Sequence, residues 1–161
     1  MSNHHIPVLK QESIDYLLTN KSGSYFDGTI GFGGHTEAFL NILDEKALLV
    51  GCDVDENAFS FVQRKFENDN RVQLYQYNFS MIDVIAKIES IEFFDGIFAD
   101  LGVSSFQLDN PVSGFTFRID SLLDLRMNKS KVVTAADIIN SFDEEDLSRI
   151  FFEFGEEKNS R

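Results

Sequence analysis

The chain has 161 residues, which is enough for one domain with a buried core. Apolar residues make up 43% of it and 17 residues are Phe, so the composition excludes an intrinsically disordered chain. The net charge of −13 opposes non-specific attraction to nucleic-acid phosphates, and it predicts either another kind of partner or a basic surface outside this chain.

The sequence contains no segment that would cross or enter a membrane. No apolar stretch approaches the roughly 20 residues that a membrane-spanning helix requires, and the polar start lacks the layout of a signal peptide. Cys52 is the only cysteine and has no partner for an internal disulfide, which suits a reducing compartment. We therefore expect a cytoplasmic protein with no membrane partner. The histidines have no cysteine partners at metal-binding spacing, so no metal site is predicted.

Apolar periodicity predicts an alternation of helices and short strands between about residues 8 and 99. Helix spacing indicates a first helix near residues 10–19, followed by a strand from Ser24 to Ile30 that runs into glycine. The near-continuous apolar run from Ala47 to Cys52 is typical of a strand that is buried on both faces. The remaining predicted elements are helices over 35–43, 58–66 and 81–91 and strands over 72–77 and 94–99.

This alternation determines the predicted fold class. Strands that are separated by helices are joined by right-handed crossovers, and such crossovers produce a parallel sheet. We therefore predict an α/β fold with a doubly wound parallel sheet of the Rossmann-like kind.

Regular structure is interrupted after Asp100. Residues 101–131 have no sustained period, and irregular stretches of this length in compact domains are commonly functional. Two capping-box patterns, Thr134 to Asp137 and Ser141 to Glu144, then predict two helices. The chain stops after the second helix with no closing strand. Because an open sheet edge is an unusual end-point, this pattern predicts a truncated product or fragment.

A glycine-rich segment joins the first predicted strand to its helix, and it reads Asp27-Gly-Thr-Ile-Gly-Phe-Gly-Gly-His35. Glycines there let the backbone turn tightly and approach a ligand, and the carboxyl ends of parallel strands form the ligand crevice. A glycine-rich turn without a ligand is the plain alternative. A dinucleotide-binding loop is the nearest functional rival, but its fingerprint requires glycine where Thr36 stands.

Two further strand ends carry side chains suited to an adenosine-containing ligand. An acidic residue after the second strand can accept both hydrogen bonds of a ribose diol, in a nucleotide or in S-adenosylmethionine. We expect Asp53 to take this role and Asp55 to cap the next helix, with a structural role for both as the alternative. Phe79, after the third strand, is either a wall that stacks on the base or a core residue.

The segment from Asp95 to Gln107 leads from the fourth predicted strand into the irregular stretch. Asp100 ends that strand beside the predicted crevice, where its carboxylate would accept hydrogen bonds from an attacking amine. Gly102 and the two serines after it allow the backbone to bend around a substrate.

Several segments together carry one resemblance. They are Asp27 to His35, Asp53-Val-Asp55, Phe94 to Ser105, Gln107-Leu-Asp109, Gly114 to Arg118, Asp124 to Met127, Thr134-Ala-Ala136 and Phe154 to Glu157. In their order and spacing they resemble the motifs of the RsmH (MraW) ribosomal RNA methyltransferases. The resemblance covers the chain from about residue 5 to its last residue.

The resemblance implies methyl transfer from S-adenosylmethionine to the exocyclic N4 amine of a cytidine in 16S rRNA, near the decoding centre, with no DNA partner. It makes Asp100 the candidate catalytic residue. A cofactor-binding fragment without activity and a nucleotide-dependent oxidoreductase are the alternatives. The implied cofactor contacts are Gly33, Gly34, His35, Asp53, Phe79, Asp100 and Gln107.

The resemblance also implies a division of the chain. Residues 1–104 would form the N-terminal part of the S-adenosylmethionine-binding core, and residues 105–161 the substrate loop and the beginning of an inserted helical domain, with the C-terminal strands of the sheet missing. The chain departs from the family at Phe32, where a basic residue is usual, and at Phe106 and Ser121-Leu122, where Pro and Gly-Pro are common. These departures bear on RNA binding more than on cofactor binding.

Some side chains of the irregular stretch are candidates for RNA contact. Phe106, Phe115 and Phe117 would stack on an extruded base, or else pack the loop against the sheet. Arg118 and Arg126 would contact phosphates, or else form surface ion pairs with Asp120 and Asp124.

Overall fold

The structure is a computed structural model that describes residues 7–160, apart from the side chains of Ser105 and Phe106. The chain divides into two compact units, the first ending at Ser104 and the second beginning at Ser105. In the described part of the chain, no helix is both long and apolar enough to cross a membrane.

The first unit is built on a parallel sheet of four strands. The strands are β1 Ser24–Asp27, β2 Leu48–Cys52, β3 Val72–Tyr75 and β4 Gly96–Phe98, in the spatial order β3-β2-β1-β4. In the register of the sheet, Phe26 of β1 lies between Val50 of β2 and Ile97 of β4. The predicted doubly wound α/β fold is confirmed, and the strand order reverses between β1 and β4.

One helix precedes the sheet and three follow its strands, and a side-chain cap fixes the first residue of one of them. The helices are α1 Lys10–Leu17, α2 Gly34–Leu40, α3 Glu56–Lys65 and α4 Ile82–Ile88, with a 3₁₀ turn at Phe79–Met81. Asp55 caps α3 as predicted, because its carboxylate accepts the backbone N–H groups of Asn57 and Ala58. The helix then has Glu56 in its first turn and two basic residues in its last, which complements the helix dipole.

Side chains alternate between the two faces of the sheet and form a core on each. Tyr25 and Leu49 pack with Phe39 of α2 on one face. Phe26 and Val50 pack with Ile85 of α4 on the other, and each of these side chains is at most 2% exposed. The central strands are therefore buried on both sides, as their apolar runs predicted.

The predicted elements were longer than the observed ones at several ends. The helix predicted to reach residue 43 ends at Leu40, although Leu43 is buried in the core just beyond it. The helix predicted over 81–91 ends at Ile88, because Ser90 has a φ of 58° and the N–H of Ile91 bonds back to the Ala86 carbonyl. Apolar periodicity continues through such turns and does not mark them.

The second unit contains the short helix α5 Ser105–Asp109, a 3₁₀ turn at Pro111–Ser113, and the helices α6 Ala135–Ser141 and α7 Glu144–Glu153. The capping box between Thr134 and Asp137 is confirmed at α6. The second predicted box is wrong, because Ser141 ends α6 and its hydroxyl donates to the Asp137 carbonyl. Asp143 caps α7 instead, accepting the N–H of Asp146.

Candidate ligand site at the carboxyl edge of the sheet

The loop after β1, residues 28–33, lies at the point where the strand order reverses, and we refer to it as the glycine loop. It is hydrogen-bonded to both neighbouring strands. Gly28 N–H donates to the carbonyl of Phe98 at the end of β4 (2.8 Å), and Ile30 N–H donates to that of Cys52 at the end of β2 (3.1 Å). In open α/β sheets ligands bind at this topological switch point, so the glycine loop forms one wall of a candidate site.

Asp53 holds the glycine loop against β2, at the position predicted from its sequence. One carboxylate oxygen accepts the N–H of Gly31 (2.8 Å), and the other accepts the N–H of Asp55 (2.9 Å). Burial raises the pKa of Asp53, while these two backbone hydrogen bonds act in the opposite direction. Each oxygen retains a second acceptor position, so the carboxylate is able to bind a pair of hydroxyl groups as well.

Asp27 is a second carboxyl group at this edge, and no role was predicted for it. It is 1% exposed, accepts the N–H of Thr29 (3.1 Å), and accepts the hydroxyl of Thr36 on α2 (2.8 Å). Burial raises the pKa of Asp27 to about 6, against the lowering effect of the Thr36 and Thr29 hydrogen bonds. The sequence signal was an acidic residue ending an apolar strand, the same signal that pointed to Asp53.

The buried carboxyl group of Asp27 should make stability depend on pH. Its pKa is higher in the folded chain than in the unfolded chain, so ionisation costs nothing below about pH 4, costs progressively more up to pH 6, and costs roughly 3 kcal/mol above it. In Asp27→Asn this cost is absent, since the amide oxygen accepts from Thr29 and the amide N–H donates to the Thr36 hydroxyl. We expect the difference in unfolding free energy, variant minus wild type, to rise between pH 4 and 6 in urea titrations.

A control with the opposite sign is available at Asp44. Hydrogen bonds from the Ser22 hydroxyl and the Lys46 backbone lower the pKa of this exposed carboxylate. Asp44→Asn should therefore lose stability relative to wild type as pH rises through the acid range. Parallel pH profiles for wild type and Asp27→Asn would contradict the assignment of the buried charge.

Gly33 ends the glycine loop in a conformation and a space that favour glycine. Its φ is 72°, and a Cβ built on it would lie 2.6 Å from the ring of Phe66. Lys65 holds the same residue from the solvent side, with its Nζ 3.3 Å from the Gly33 carbonyl and 2.9 Å from Glu37. The loop carbonyls are thus fixed by α3, a contact that the sequence pattern did not indicate.

Gly34 and His35 begin α2 and face the segment before α1. A Cβ on Gly34 would lie 2.6 Å from Pro7, so that segment packs directly on the helix start. The His35 imidazole is 8% exposed, donates from Nε2 to the Val8 carbonyl (2.9 Å), and lies with its centroid 4.5 Å from that of Phe98. His35 therefore fastens the segment before α1 beside the predicted site.

Phe79 lies beside Gly28 of the glycine loop. A Cβ on Gly28 would be 3.0 Å from Cβ of Phe79, so the two backbones pass close to each other. The side chain is nevertheless 44% exposed, and Asn78 fixes the start of its turn by accepting the N–H of Ser80 (2.9 Å). This exposure is not that of a core residue, which was one of the two roles predicted for Phe79.

Asp100 follows β4 at the same edge. Its backbone N–H donates to the hydroxyl oxygen of Thr29 (2.7 Å), and its side chain is exposed. The structure thus brings Gly33, Asp53, Phe79 and Asp100 around one loop. Gln107 belongs to α5 of the second unit, where its backbone carbonyl accepts the Ser113 hydroxyl.

Cys52 lies at the base of this site and is fully buried. Its Sγ is 3.6 Å from the Gly28 carbonyl, and burial together with Asp27 and Asp53 raises its pKa to about 12. At neutral pH this burial favours the protonated thiol, which is a poor nucleophile.

The arginines of the second unit take different roles. Arg126 forms a two-point ion pair with Asp124 (2.7 and 3.0 Å), the alternative considered for it, and holds the pKa of that carboxyl well below its usual range. Arg118 instead has its guanidinium 3.7 Å from Asp109, and both side chains are largely exposed. Arg118 therefore retains the greater capacity for an external anion, since its ion pair is long and solvated.

Comparison with known proteins gives one consistent relationship. Residues 2–161 match the MraW methylase family. A ribosomal RNA small subunit methyltransferase H from Fusobacterium nucleatum is 42% identical over 161 residues, which are 99% of this chain and 51% of that protein. Proteins with the same name from Caldicellulosiruptor saccharolyticus and Bacteroides thetaiotaomicron are each 43% identical, over 98% of this chain and 51% of theirs. The chain spans about half the length of these relatives.

Proposed function

Because the chain belongs to the MraW methylase family, we propose that it binds S-adenosylmethionine at the carboxyl edge of its sheet and serves in methylation of small-subunit ribosomal RNA. The observation that carries this proposal is the Asp53 carboxylate, held beside the glycine loop where the strand order reverses. At the finer level, we propose the exocyclic N4 amine of a cytidine in 16S rRNA as the methyl acceptor, and the cytoplasm as the compartment.

The residues at this edge fit the chemistry of the cofactor. The two oxygens of Asp53 have acceptor capacity left for the ribose hydroxyls, and the partly exposed ring of Phe79 suits the adenine face. Gly33 and Gly34 are proposed to contact the cofactor through their backbone atoms. His35 is proposed as a further contact with the cofactor. Its hydrogen bond to the Val8 carbonyl also holds the segment before α1 beside this site.

Asp100 is proposed to act on the accepting amine. S-adenosylmethionine, when bound, supplies a methyl group that is already activated by its sulfonium. The protein then has to hold a cytosine amine in line with it, and this amine is a weak nucleophile because it is conjugated with the ring. The exposed carboxylate of Asp100 would accept an N–H of the amine and increase the electron density on its nitrogen.

The second unit is proposed to carry the RNA contacts, and the first unit the cofactor. A paired cytosine hides its N4 amine, so the base must be unstacked or single-stranded. Phe117 is 99% exposed and next to Arg118, which suits stacking on a base beside a phosphate. Phe115 is half-buried and so offers less of its ring for stacking than Phe117 does. Gln107 of the same unit is proposed as a cofactor contact. The side chain of Phe106 lies outside the described residues.

The proposal is tested first by binding and then by chemistry. In calorimetry the chain should bind S-adenosylmethionine and S-adenosylhomocysteine and show no heat with NAD. With labelled cofactor and small ribosomal subunits that lack the modification, nucleoside analysis should detect N4-methylcytidine. We expect Asp100→Asn to lower single-turnover methylation about 100-fold or more, since it removes the proposed acceptor charge.

Asp83→Asn serves as the matched control, because Asp83 is an exposed carboxylate on α4 whose ion pair with Lys87 is 3.8 Å long. Its methylation rate should equal that of wild type. Binding of NAD in place of S-adenosylmethionine would overturn the proposed function. Cofactor binding without methylation would identify this chain as a cofactor-binding part of the enzyme, and an unchanged rate in Asp100→Asn would remove its catalytic role.

A further inference from the structure

Thr29 makes two hydrogen bonds that join different parts of the site. Its backbone N–H donates to the buried carboxyl of Asp27 (3.1 Å), and its side-chain oxygen accepts the backbone N–H of Asp100 (2.7 Å). The first bond fixes the glycine loop to the end of β1. The second bond fixes the chain after β4 to the glycine loop.

The strand that leads to Asp100 is a short strand at the edge of the sheet. β4 has only three residues and pairs with β1 through Gly96, Ile97 and Phe98. Two residues after Asp100, Gly102 has a φ of 144° with no atom within 4 Å of a Cβ built on it. The Thr29 hydroxyl therefore holds the chain two residues before a glycine at which the backbone can change direction at low cost.

We propose that Thr29 is a positioning residue, whose side-chain oxygen holds the backbone of Asp100 so that the glycine loop and the Asp100 carboxylate move as one unit. The effect on the cofactor loop and the reacting centre rests on the proposed function. The hydrogen bond from the Asp100 N–H to the Thr29 side-chain oxygen, which we call the tether, does not depend on that function.

The chemistry of the tether requires an oxygen acceptor at this position. Valine has the shape of threonine but presents a methyl group to the Asp100 N–H, which then has to find water or remain unpaired. Serine keeps the acceptor and loses only a methyl group. Thr29→Val and Thr29→Ser therefore separate the hydrogen bond from the packing of the side chain.

The first measurement uses the ligand-free chain. Amide hydrogen exchange by NMR should show the Asp100 N–H exchanging about five- to tenfold faster in Thr29→Val than in wild type, the change expected for loss of one neutral hydrogen bond. Thr29→Ser should restore protection to within about twofold of wild type. Exchange at Leu49, on the central strand β2, serves as the internal reference for global stability. Equal Asp100 rates in wild type and Thr29→Val would overturn the tether.

The second measurement is a double-mutant cycle on S-adenosylmethionine affinity by calorimetry. Asp100 is also one of the cofactor contacts that the family resemblance implies. We therefore expect Thr29→Val to weaken binding about fivefold in the wild-type background and to have no further effect in Asp100→Ala, because Thr29 acts through Asp100. Equal weakening in both backgrounds would overturn the coupling and assign Thr29 to the cofactor directly. If the wild-type chain binds no S-adenosylmethionine, the proposed function fails, and the exchange measurement alone decides the tether.

Discussion

Replacing Gly33 with alanine is expected to lower the free energy of unfolding by about 3 kcal/mol. Two costs add. The left-handed conformation of Gly33 (φ 72°) disfavours a side chain by about 1 kcal/mol or more, and its Cβ would lie 2.6 Å from the Phe66 ring. Relief of that contact requires movement of a packed aromatic residue. Urea unfolding followed by circular dichroism measures the loss.

Gly31→Ala is the matched control, since Gly31 lies in the same loop with a φ of 51° but has no atom nearer than 3.8 Å to a built Cβ. It should cost only about 1 kcal/mol, the conformational part alone. Adding Phe66→Leu to Gly33→Ala should recover part of the additional loss. Equal losses in the two glycine variants would show that the contact with Phe66 carries no energy.

Asp53→Asn is expected to lower S-adenosylmethionine affinity at least about 30-fold and the free energy of unfolding by about 2 kcal/mol. Both carboxylate oxygens of Asp53 accept backbone N–H groups, from Gly31 and from Asp55. An amide has one oxygen and one NH₂ group, so in either orientation it turns a donor toward a donor. One end of the glycine loop loses its anchor, and the proposed ribose contact is lost with it.

Asp27→Asn is the matched variant for Asp53→Asn, because it makes the same change at the neighbouring strand end. Asp27 is more deeply buried than Asp53, yet one of its partners is the Thr36 hydroxyl, which can accept as well as donate. Asparagine is therefore compatible with position 27 and incompatible with position 53. Calorimetry and urea unfolding of the two variants at pH 7.5 should rank Asp53→Asn as the more damaging. The reverse order would mean that burial, rather than hydrogen-bond direction, controls these sites.

The fold followed from the sequence because its causes are local. Continuous apolar runs predicted strands buried on both faces, and Val50 and Leu49 are both fully buried on opposite sides of β2. Capping at Asp55 was predictable because it depends on neighbours two and three residues away. The capping box predicted at Ser141 was wrong because Ser141 is still part of α6. A pattern of four residues carries no information on where the preceding helix ends.

The sequence predicted which residues follow the strands at the candidate site, but not the long-range contacts that join them. The places of Asp53 and Asp100 were predictable because parallel strands have their carboxyl ends at one edge of the sheet. The contacts of Lys65 with the glycine loop, of His35 with Val8 and of Asp100 with Thr29 join residues that are 27 to 71 positions apart. Such contacts depend on how elements pack, and no spacing in one chain encodes them.

The buried thiol at the base of the site gives the chain a built-in reporter. Cys52 is the only cysteine, its Sγ lies under the Gly28 carbonyl, and a pKa of about 12 leaves only a minute fraction as reactive thiolate at neutral pH. A thiol reagent can therefore modify it only when the sheet opens beneath the glycine loop. The rate of modification therefore depends on how often this part of the sheet opens, and a ligand that holds the glycine loop in place should slow it without any substitution in the protein.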